Sequence, residues 1–477
     1  MSKSIKKNYM YNLIYNILLI VSPLIVTPYV SRILKPDGIG AYQYTNAIVT
    51  VFILIASLGT NMYAQREIAY YQNNIEKRSK IFKSIFIIRL ISSFIVTIIY
   101  IPIMFLNETY KYLYLVQYIL IISNVFNITW LYQGLEDFKK TATRGLIVKI
   151  ISIFSIFVFV KTKNDLVLYA FINAMANLIS SLYLWLYIKK IIIPVKLNIK
   201  DITQHIKPVI LLFLPVAAIY VYTYVDKIIL GMLSTTEQVG FYSQSENLVK
   251  IVMTTLTSLG TVLLPRISKL LGQKKWDEVK NEVNNSIKFV IMLGLPMVFG
   301  LILTSSLFVP WFFGDEYLPC IFLIQLLSFL IVIIGLSSVT GQAILIPLNK
   351  QKEYTITIAI GAVLNVLLNI MLIPKYGAIG ASLATLAAEM IVNITQQILV
   401  FKILKLRFID VLNSNIKSII STLVMILILL IIKPYFNVSI LSTLIYSLLG
   451  IIIYIVTLTI LNEDYIYTIC NLTKNNK

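Results

Sequence analysis

Apolar segments about as long as a bilayer is thick recur along the whole chain, and they limit its possible folds more than any other feature. A segment of about 20 apolar residues can cross the hydrocarbon core as a helix. Helices are required there because lipid offers no hydrogen-bond partner to backbone groups. We therefore predict an all-α polytopic membrane protein with about 14 transmembrane helices. The predicted spans are 9–31, 39–62, 84–106, 112–133, 145–161, 166–188, 208–231, 240–263, 286–308, 319–343, 355–373, 380–401, 417–432 and 440–461.

The distribution of charge supports this fold class and indicates an orientation. Of the 477 residues, 58% are hydrophobic and 13% are charged, whereas about a quarter of a soluble domain is charged. With the N-terminus inside, the inner segments hold several times more of the 41 Lys and Arg residues than the outer loops. This asymmetry predicts that both termini are cytoplasmic. The net charge of +20 then belongs to cytoplasmic loops, and no basic soluble domain is left to bind nucleic acid.

Short sequences repeat about 200 residues apart and indicate a duplicated lobe. The matches occur in the same order and at like positions of a helical hairpin. We predict two pseudo-symmetric six-helix lobes, 1–200 and 201–402, followed by two extra spans and a cytoplasmic tail in 403–477. The repeated sequences are Tyr29–Ile33 with Tyr224–Ile228, Gly40–Tyr42 with Gly240–Tyr242, and Ser57–Thr60 with Ser258–Thr261.

Local features complete the predicted architecture. A tight turn at Lys35–Gly38 joins the first two spans. Prolines inside spans, including Pro23 and Pro215 on the matching first helices of the lobes, free backbone carbonyls and permit bends. Residues 266–285 are expected to form an amphipathic helix on the inner surface. His205, the only histidine of the sequence, lies in a basic inner loop, where a solvated side chain is expected.

Charged side chains at membrane depth mark candidate sites, because each costs roughly 2.5 kcal/mol or more unless it is paired or hydrated. Glu246 and Lys250 are four residues apart and share one helix face, so a self-satisfied ion pair and a ligand site both remain open. Asp226 and Lys227 are adjacent and point to different faces, and we expect them to extend to the outer interface. Arg89 lies about two turns into the third span.

Polar side chains accompany Glu389 on the twelfth predicted span. Asn393, Gln396 and Gln397 follow it at helical spacing. This pattern indicates either a face in contact with water or hydrogen bonding between helices.

Several signatures of enzymes are missing from the sequence. No phosphate-binding loop of the type G-x-x-x-x-G-K-[ST] occurs, so we predict no ATP hydrolysis by this chain. No outer histidine and no large outer loop exist to support acyl transfer or glycan polymerisation. Cys320 and Cys470 fall on opposite predicted sides, and no metal-ligand spacing occurs. Repeated lobes, bent spans and sparse buried charges predict a secondary transporter rather than an enzyme, with its site at the lobe interface.

Three motifs point to one family. Arg32–Tyr42 has the sequence R-I-L-K-P-D-G-I-G-A-Y, Gln65–Ala69 has Q-R-E-I-A, and Ile373–Ala381 has I-P-K-Y-G-A-I-G-A. They resemble the R-x-L-G-P-x-G-I-G-x-Y, Q-R-E-I-A and I-P-x-x-G-x-x-G-A motifs of the polysaccharide repeat-unit flippases (Wzx type). That family belongs to the multidrug/oligosaccharidyl-lipid/polysaccharide exporter superfamily. Lys35 stands where the family usually has glycine.

This resemblance implies a flippase that serves the assembly of a surface polysaccharide such as capsule or O-antigen. Its substrate would be a short glycan on polyprenyl pyrophosphate, moved from the inner to the outer leaflet of a bacterial cytoplasmic membrane. The lobes would rock about a central hydrophilic cavity while the prenyl tail stays among membrane lipids. No cofactor is implied, although coupling to H⁺ or Na⁺ is compatible with the family. A polysaccharide polymerase and glycosyltransferases are the expected protein partners.

The residues expected to serve this transport fall into three groups. Matched cations in the two lobes, Arg32 and Lys227, are placed to hold an anion across the cleft. We expect the cations to attract the pyrophosphate, the tyrosine and amide side chains to contact sugars, and the carboxylates to carry any coupling ion. The three groups are Arg32, Arg89, Lys227 and Lys250; Tyr42, Tyr242 and Asn46; and Glu246, Asp226 and Glu389.

Three rival functions remain. A cation-coupled multidrug exporter of the same superfamily would share the fold, but the first two predicted spans hold no Asp or Glu to attract a cation. A lipid II flippase would carry a peptidoglycan precursor instead. A membrane glycan polymerase would need catalytic groups on an outer loop, and the sequence offers none there.

Overall fold

The computed structural model describes residues 3–463, with side chains at residues 18, 21–213, 217, 220, 223–411 and 413–463. Within this part of the chain the secondary structure is helical and contains no strand. A π-helical segment, Ser338–Leu345, follows α12. Helices α1 to α15 are Lys3–Ser57, Thr60–Tyr70, Ile75–Leu106, Lys111–Phe126, Thr129–Gly134, Phe138–Phe159, Leu166–Tyr183, Ile199–Leu233, Thr236–Gly272, Trp276–Phe312, Cys320–Leu327, Leu330–Ser337, Gln351–Leu404, Phe408–Ile432 and Ile440–Ile460.

The described residues contain 11 helical stretches that are long and apolar enough to cross a membrane. Two of these stretches join two helices across a kink, at Lys35 in α1 and at Gly377 in α13. Helix α8 adds a further helix of 35 residues. The described part of the chain thus supplies the fourteen spanning helices that the sequence predicts, and the fold class is confirmed.

The kink in α1 lies at the predicted turn and has a local cause. Lys35 has φ 62° and ψ 169°, a conformation that glycine adopts readily and other residues adopt only with strain. Pro36 follows and disfavours the helical conformation for the residue before it. This backbone conformation explains why the resembling family places glycine where this chain has Lys35.

Two compact units divide the chain after Gly240. Unit 1 is Met1–Gly240 and contains α1 to α8, whereas unit 2 is Phe241–Lys477 and contains most of α9 and all later helices. In unit 1, α1 packs on α4, α6 and α8. The lobe limits drawn from the sequence, 1–200, 201–402 and 403–477, stay predictions.

Two residues named from the sequence need a separate statement. Cys320 is buried with a free thiol, and Cys470 lies outside the described residues. The side chain of Pro215 also lies outside them, whereas Pro23 lies inside helix α1 as expected.

The repeated glycine motifs approach one another within unit 1. Gly40 lies in the second half of α1, and Gly240 lies near the start of α9. A Cβ atom on Gly40 would overlap the carbonyl group of Thr236 and would lie 2.8 Å from the nitrogen of Gly240. A Cβ atom on Gly240 would overlap the carbonyl group of Pro36. Glycine at both positions therefore permits a backbone contact that any side chain would obstruct.

The repeated Ser-Leu-Gly-Thr sequence adopts two different conformations. In unit 1 the helix breaks at Leu58 and Gly59, whose φ angles are 44° and 70°. A Cβ atom on Gly59 would lie 2.8 Å from the backbone nitrogen of Phe213, so α8 passes close to this break. In unit 2 the matching residues 258–261 lie inside the uninterrupted helix α9. The same four residues thus end a helix in one unit and continue one in the other.

The expected surface helix at 266–285 is wrong. Helix α9 continues to Gly272 and α10 begins at Trp276, so this segment consists of two helix ends and a turn. An ion pair between Arg266 and Glu282, with 2.8 Å between Nη2 and Oε2, joins the two ends. The amphipathic pattern arises because both helices, at 37 residues each, are longer than a bilayer requires.

The last two helices, α14 and α15, pack along α10 in unit 2. Trp311 Nε1 donates to Thr443 Oγ1 at 2.8 Å near one end of α10. Tyr454 Oη donates to the Met292 carbonyl oxygen at 2.5 Å, farther along the same helix. Buried apolar side chains, Met425 and Leu429 among them, fill the space between these contacts. Helices α14 and α15 therefore form part of the core of unit 2.

Candidate substrate-binding site

The residues predicted from the sequence divide between the two units. Unit 1 holds most of the predicted cations, and unit 2 holds most of the predicted carboxylates. Unit 1 contains Arg32, Tyr42, Asn46, Arg89, Asp226 and Lys227, and unit 2 contains Tyr242, Glu246, Lys250 and Glu389.

A polar row runs along the second half of α1 in unit 1. Tyr42, Asn46 and Thr50 follow at four-residue spacing and so share one helix face. The ring of Tyr42 meets the ring of Tyr169 on α7 edge-on, with 5.0 Å between the centroids. Gln117 of α4 donates to the Tyr42 carbonyl oxygen at 3.4 Å. The predicted sugar contacts Tyr42 and Asn46 are thus half-buried side chains on a polar face that meets α7.

Asp226 and Lys227 are buried within α8. Their exposed fractions are 3% and 6%. Lys227 lies four residues before Gly231, where the ring of Tyr44 fills the space that a Cβ atom would take. Residues four apart share a helix face, so Lys227 lies on the side of α8 that packs on α1. The expectation that this pair extends to the outer interface is wrong, because both side chains are enclosed by helix packing.

The matched cations Arg32 and Lys227 have different surroundings. Arg32 is exposed and lies three residues before the kink at Lys35, whereas Lys227 is buried. Both belong to unit 1, although the sequence places them in different lobes. Joint binding of an anion by these two side chains stays a prediction.

Arg89 holds the end of helix α4. The residue is 1% exposed. Its Nη1 donates to the Asn127 carbonyl oxygen, and its Nη2 donates to Asn124 Oδ1, both at 2.7 Å. A cation at this position also interacts favourably with the helix dipole, whose negative end is the C-terminus. These contacts give Arg89 a structural role in unit 1, and its contact with substrate stays a prediction.

Glu246 and Lys250 form an ion pair in unit 2. Glu246 Oε1 lies 2.6 Å from Lys250 Nζ, and the two side chains are 8% and 38% exposed. The geometry is that of the self-satisfied pair that the spacing allows. Since Lys250 keeps more than a third of its surface, an incoming anion can still reach its ammonium group.

Glu389 lies at one end of a polar network between helices of unit 2. One turn later, Asn393 Nδ2 donates to Ser337 Oγ at 3.1 Å. Gln396 Nε2 donates to Thr357 Oγ1, also at 3.1 Å. Of the two interpretations left open by the sequence, these contacts favour hydrogen bonding between helices. Glu389 itself is 9% exposed.

Tyr242 differs from its repeat counterpart Tyr42. It is fully buried, and its hydroxyl group lies 3.2 Å from Thr385 Oγ1. A sugar can reach Tyr242 only after the surrounding helices move, whereas Tyr42 is half-buried and keeps part of its surface.

His205 is a buried side chain of unit 1. It lies near the start of α8, and its Nδ1 lies 2.7 Å from the hydroxyl oxygen of Tyr63 on α2. Burial lowers the pKa of His205 from its ordinary value of 6.5, while Glu67 and Asp201 act in the opposite direction. The expectation of a solvated loop histidine is wrong, because α8 begins earlier than the predicted span and carries His205 into the core.

Lys149 is a candidate residue that the sequence reasoning missed. It is absent from the charges that the sequence marks at membrane depth, yet it falls inside the predicted span 145–161 and near the middle of α6. It is half-buried. The signal was present, because a lysine inside a drawn span belongs among the charges at membrane depth.

Comparison with protein families decides the class of the chain. A family described as polysaccharide biosynthesis protein matches residues 5–271, which is more than half of the sequence. The chain belongs to this family. A second family, described as MatE, matches residues 212–371.

Relatives of this polysaccharide biosynthesis protein extend over most of its length. A protein of Shigella dysenteriae, provisionally named O-antigen transporter, is 27% identical over 375 residues, which cover 78% of this chain and 93% of the relative. A protein of Escherichia coli K12 with the same provisional name is 25% identical over 398 residues, which cover 82% of this chain and 95% of the relative. The capsular polysaccharide biosynthesis protein CapF of Staphylococcus aureus is 22% identical over 402 residues, which cover 82% and 97%.

Solved structures support the fold. The inward closed conformation of the lipid II flippase MurJ superposes with a TM-score of 0.74 at 17% identity, covering 95% of this chain and 100% of that one. An inward-facing multidrug resistance MATE family transporter gives a TM-score of 0.63 at 14% identity, covering 80% and 94%. This polysaccharide biosynthesis protein therefore has the fold that both transporters share.

Proposed function

We propose that this protein is a flippase that moves polyprenyl-pyrophosphate-linked oligosaccharide units from the inner to the outer leaflet of a bacterial cytoplasmic membrane. The observation that carries the proposal is the match to two relatives provisionally named O-antigen transporters, each over more than three quarters of this chain. The exported units would serve the assembly of a surface polysaccharide. Both termini would lie in the cytoplasm, as the charge asymmetry predicts.

The polar side chains of unit 1 suit such a substrate. Lys227 is a buried cation on the α8 face that packs on α1, and a cation inside a membrane protein attracts a negatively charged headgroup. Tyr42 and Asn46 present hydroxyl and amide groups of the kind that bind sugars. In unit 2, Glu246 is engaged with Lys250 and is less available to attract a cationic drug.

Transport would use the alternating access common to this class of fold. The inside-negative potential favours outward movement of an anion by about 2.3 kcal/mol per charge per 100 mV. Coupling to H⁺ or Na⁺ is then optional. If it occurs, Asp226, Glu246 and Glu389 are the carboxylates that would carry the ion. We propose a polysaccharide polymerase and glycosyltransferases as the proteins that act after and before this one.

Two alternative substrates follow from the solved structures. The fold of a lipid II flippase fits nearly the whole chain, so a peptidoglycan precursor is the second candidate. A cationic drug is the third, on the basis of the MATE family fold. Both alternatives keep the membrane architecture and change only the molecule that the protein carries.

The decisive experiment replaces the chromosomal gene with a deletion and measures three outputs. We expect loss of surface glycan, accumulation of lipid-linked units at the inner leaflet, and unchanged drug susceptibility, all reversed by the wild-type gene. Lysis or arrested peptidoglycan synthesis in the deletion strain would favour the lipid II substrate. Increased drug sensitivity with normal surface glycan would favour the drug exporter.

A further inference from the structure

Helix α6 carries a lysine within its apolar part. Lys149 lies 11 residues after Phe138 and 10 before Phe159, the two ends of α6. It lies four residues inside the predicted span 145–161, about 6 Å along the helix axis from the start of that span. A side chain placed there without a partner is a candidate for a functional site.

Within the part of the chain that the structure describes, no side chain offsets the charge of Lys149. Among the described residues it makes no hydrogen bond and no ion pair. Two other cations of the same helix have partners, and Lys139 is exposed. Lys140 pairs with Asp137 at 2.7 Å, and Arg144 donates to Thr129 Oγ1 and to the Ser180 carbonyl oxygen, both at 3.2 Å.

The position of Lys149 on α6 directs it toward the interior of unit 1. Ala142, Gly145, Ser152 and Ile156 are the buried residues of this helix. Lys149 continues their spacing of three and four residues and so belongs to the same face. Helix α1 packs on α6, and Ile156 contributes to the buried cluster that joins the two helices. Lys149 is thus on an interior face and not on the lipid-facing one.

Helix α7 offers polar groups beside α6, on which it packs. Tyr169, Asn173 and Asn177 lie at four-residue spacing and share one face. Asn173 Nδ2 donates to the Tyr169 carbonyl oxygen, and Asn177 Nδ2 donates to the Asn173 carbonyl oxygen, both at 2.9 Å. Each bond uses one of the two hydrogens of its amide group, and each Oδ1 is an acceptor of the kind that binds hydroxyl groups.

The two helices also enclose a groove at the membrane side. It has a volume of about 340 Å³, and its lining is almost wholly apolar. Val148 and Ser152, which flank Lys149 along the helix, belong to the lining, as do Met175 and Ile179 of α7. A hydrocarbon chain placed in this groove would bring an attached phosphate to the level of Lys149.

We propose that the α6–α7 pair of unit 1 is a binding subsite for a lipid-linked phosphate, in which Lys149 holds the phosphate, Asn173 and Asn177 accept sugar hydroxyl groups, and the groove takes the start of the lipid chain. The inference rests on the proposed function and adds a location to it. The ligand supplies the negative charge that Lys149 lacks within the protein.

The test measures ligand binding and stability in purified, full-length protein. Farnesyl pyrophosphate is the probe, with farnesol as its uncharged counterpart. The variants are Lys149→Gln, which removes the charge, Lys149→Arg, which keeps it, and Lys139→Gln, which removes an exposed charge from the same helix. Thermal unfolding is followed with and without each probe, and Kd is measured by titration.

We expect wild type to bind farnesyl pyrophosphate more tightly than farnesol, and Lys149→Gln to weaken pyrophosphate binding at least tenfold. The Kd of Lys149→Arg for farnesyl pyrophosphate should lie within about threefold of the wild-type value, and the Kd of Lys139→Gln should equal the wild-type value. Without ligand, Lys149→Gln should melt at or above the wild-type temperature, because it removes an unpartnered cation. A lower melting temperature would instead indicate a structural lysine and would overturn the proposal.

The same variants separate this inference from the proposed function. If the Lys149→Gln variant binds farnesyl pyrophosphate and exports surface glycan as well as wild type does, the subsite is overturned and the proposed function stands. Equal affinity of wild type for farnesol and farnesyl pyrophosphate would overturn recognition of the phosphate. Failure of wild-type protein to restore surface glycan in a deletion strain would overturn the proposed function and the subsite with it.

Discussion

Gly40 and Gly240 lie in direct backbone contact, although 200 residues separate them in the sequence. If either glycine were replaced, the added Cβ atom would overlap the other segment. At position 40 it would meet the backbone of Thr236, and at position 240 it would meet the backbone of Pro36. Because the atoms in the way belong to the backbone, a side chain cannot be accommodated by a change of rotamer. The contact therefore depends on glycine at both positions.

Gly40→Ala should lower the stability of the purified protein by about 1–3 kcal/mol, the usual cost of overpacking. Thermal unfolding in detergent is the measurement. Gly300→Ala is the matched control, because a Cβ atom there meets nothing within 4 Å. The control should be neutral or more stable by up to about 1 kcal/mol, since alanine is the better helix former. Equal melting temperatures for both variants would show that the contact does not form.

Lys35→Gly should make the protein more stable. The φ of 62° and ψ of 169° at Lys35 belong to a region that only glycine occupies freely. Relief of that strain outweighs the entropic cost of ordering a more flexible glycine. The free energy of unfolding is expected to rise by about 1 kcal/mol. Chemical or thermal unfolding measures it. A loss of stability would mean that Lys35 contributes more through its side chain than its backbone conformation costs.

Arg89→Met should destabilise unit 1 without a selective effect on substrate binding. The substitution keeps much of the apolar stem and leaves the Asn127 carbonyl oxygen and Asn124 Oδ1 without their donor. An unsatisfied buried acceptor costs about 1–3 kcal/mol. We expect a lower melting temperature and less folded protein in the membrane, with normal export per folded molecule. A stable variant that has lost export would return Arg89 to the substrate site.

Neutralising Lys227 or Lys250 should reduce surface glycan while the protein level stays normal. Lys227→Gln should have the larger effect, because Lys227 is 6% exposed and lies in the helix packing, whereas the side chain of Lys250 is 38% exposed. Immunoblots in a deletion strain that carries each variant measure the amount of surface glycan per amount of protein. Lys375→Gln, an exposed lysine of α13, is the control. Unchanged glycan in both test variants would exclude these cations from the site.

His205 should make stability fall as the pH is lowered. Burial lowers its pKa in the folded protein, so the unfolded chain binds more protons as the pH falls through 6.5. The stabilising contribution is therefore fully present above pH 6.5 and is lost below it. His205→Gln keeps a polar partner for Tyr63 but does not titrate, so its melting temperature should change less between about pH 8 and pH 5.5. An identical pH profile for wild type and variant would contradict the assignment.

Much of the fold follows from the sequence because the bilayer reduces the problem to segment length and polarity. The turn residues at Lys35–Gly38 predict the kink at Lys35. Helices α3 and α10 begin about two helical turns before the predicted spans 84–106 and 286–308. The site was harder to predict. Sequence marks a charge at membrane depth, but it does not say whether the charge meets a helix end, as at Arg89, or an ion-pair partner, as at Glu246.

Other errors came from the assignment of boundaries. The pattern predicts a loop at His205 because charged neighbours obscure the first turns of α8, and the cations before Lys149 obscure the first turns of α6 in the same way. Both residues are near positions where polar and apolar sequence meet. Hydropathy alone cannot locate a helix end there, since capping and tertiary packing decide it.

The two conformations of the Ser-Leu-Gly-Thr sequence bear on how much of each helix can turn as one body. Around Leu58 and Gly59 the backbone leaves the helical conformation, whereas the second copy lies inside a continuous helix of 37 residues. A continuous helix keeps its backbone hydrogen bonds along its whole length, and a break interrupts them. Rotation of the backbone at two residues can therefore redirect the segment after Gly59, a freedom that the second copy lacks.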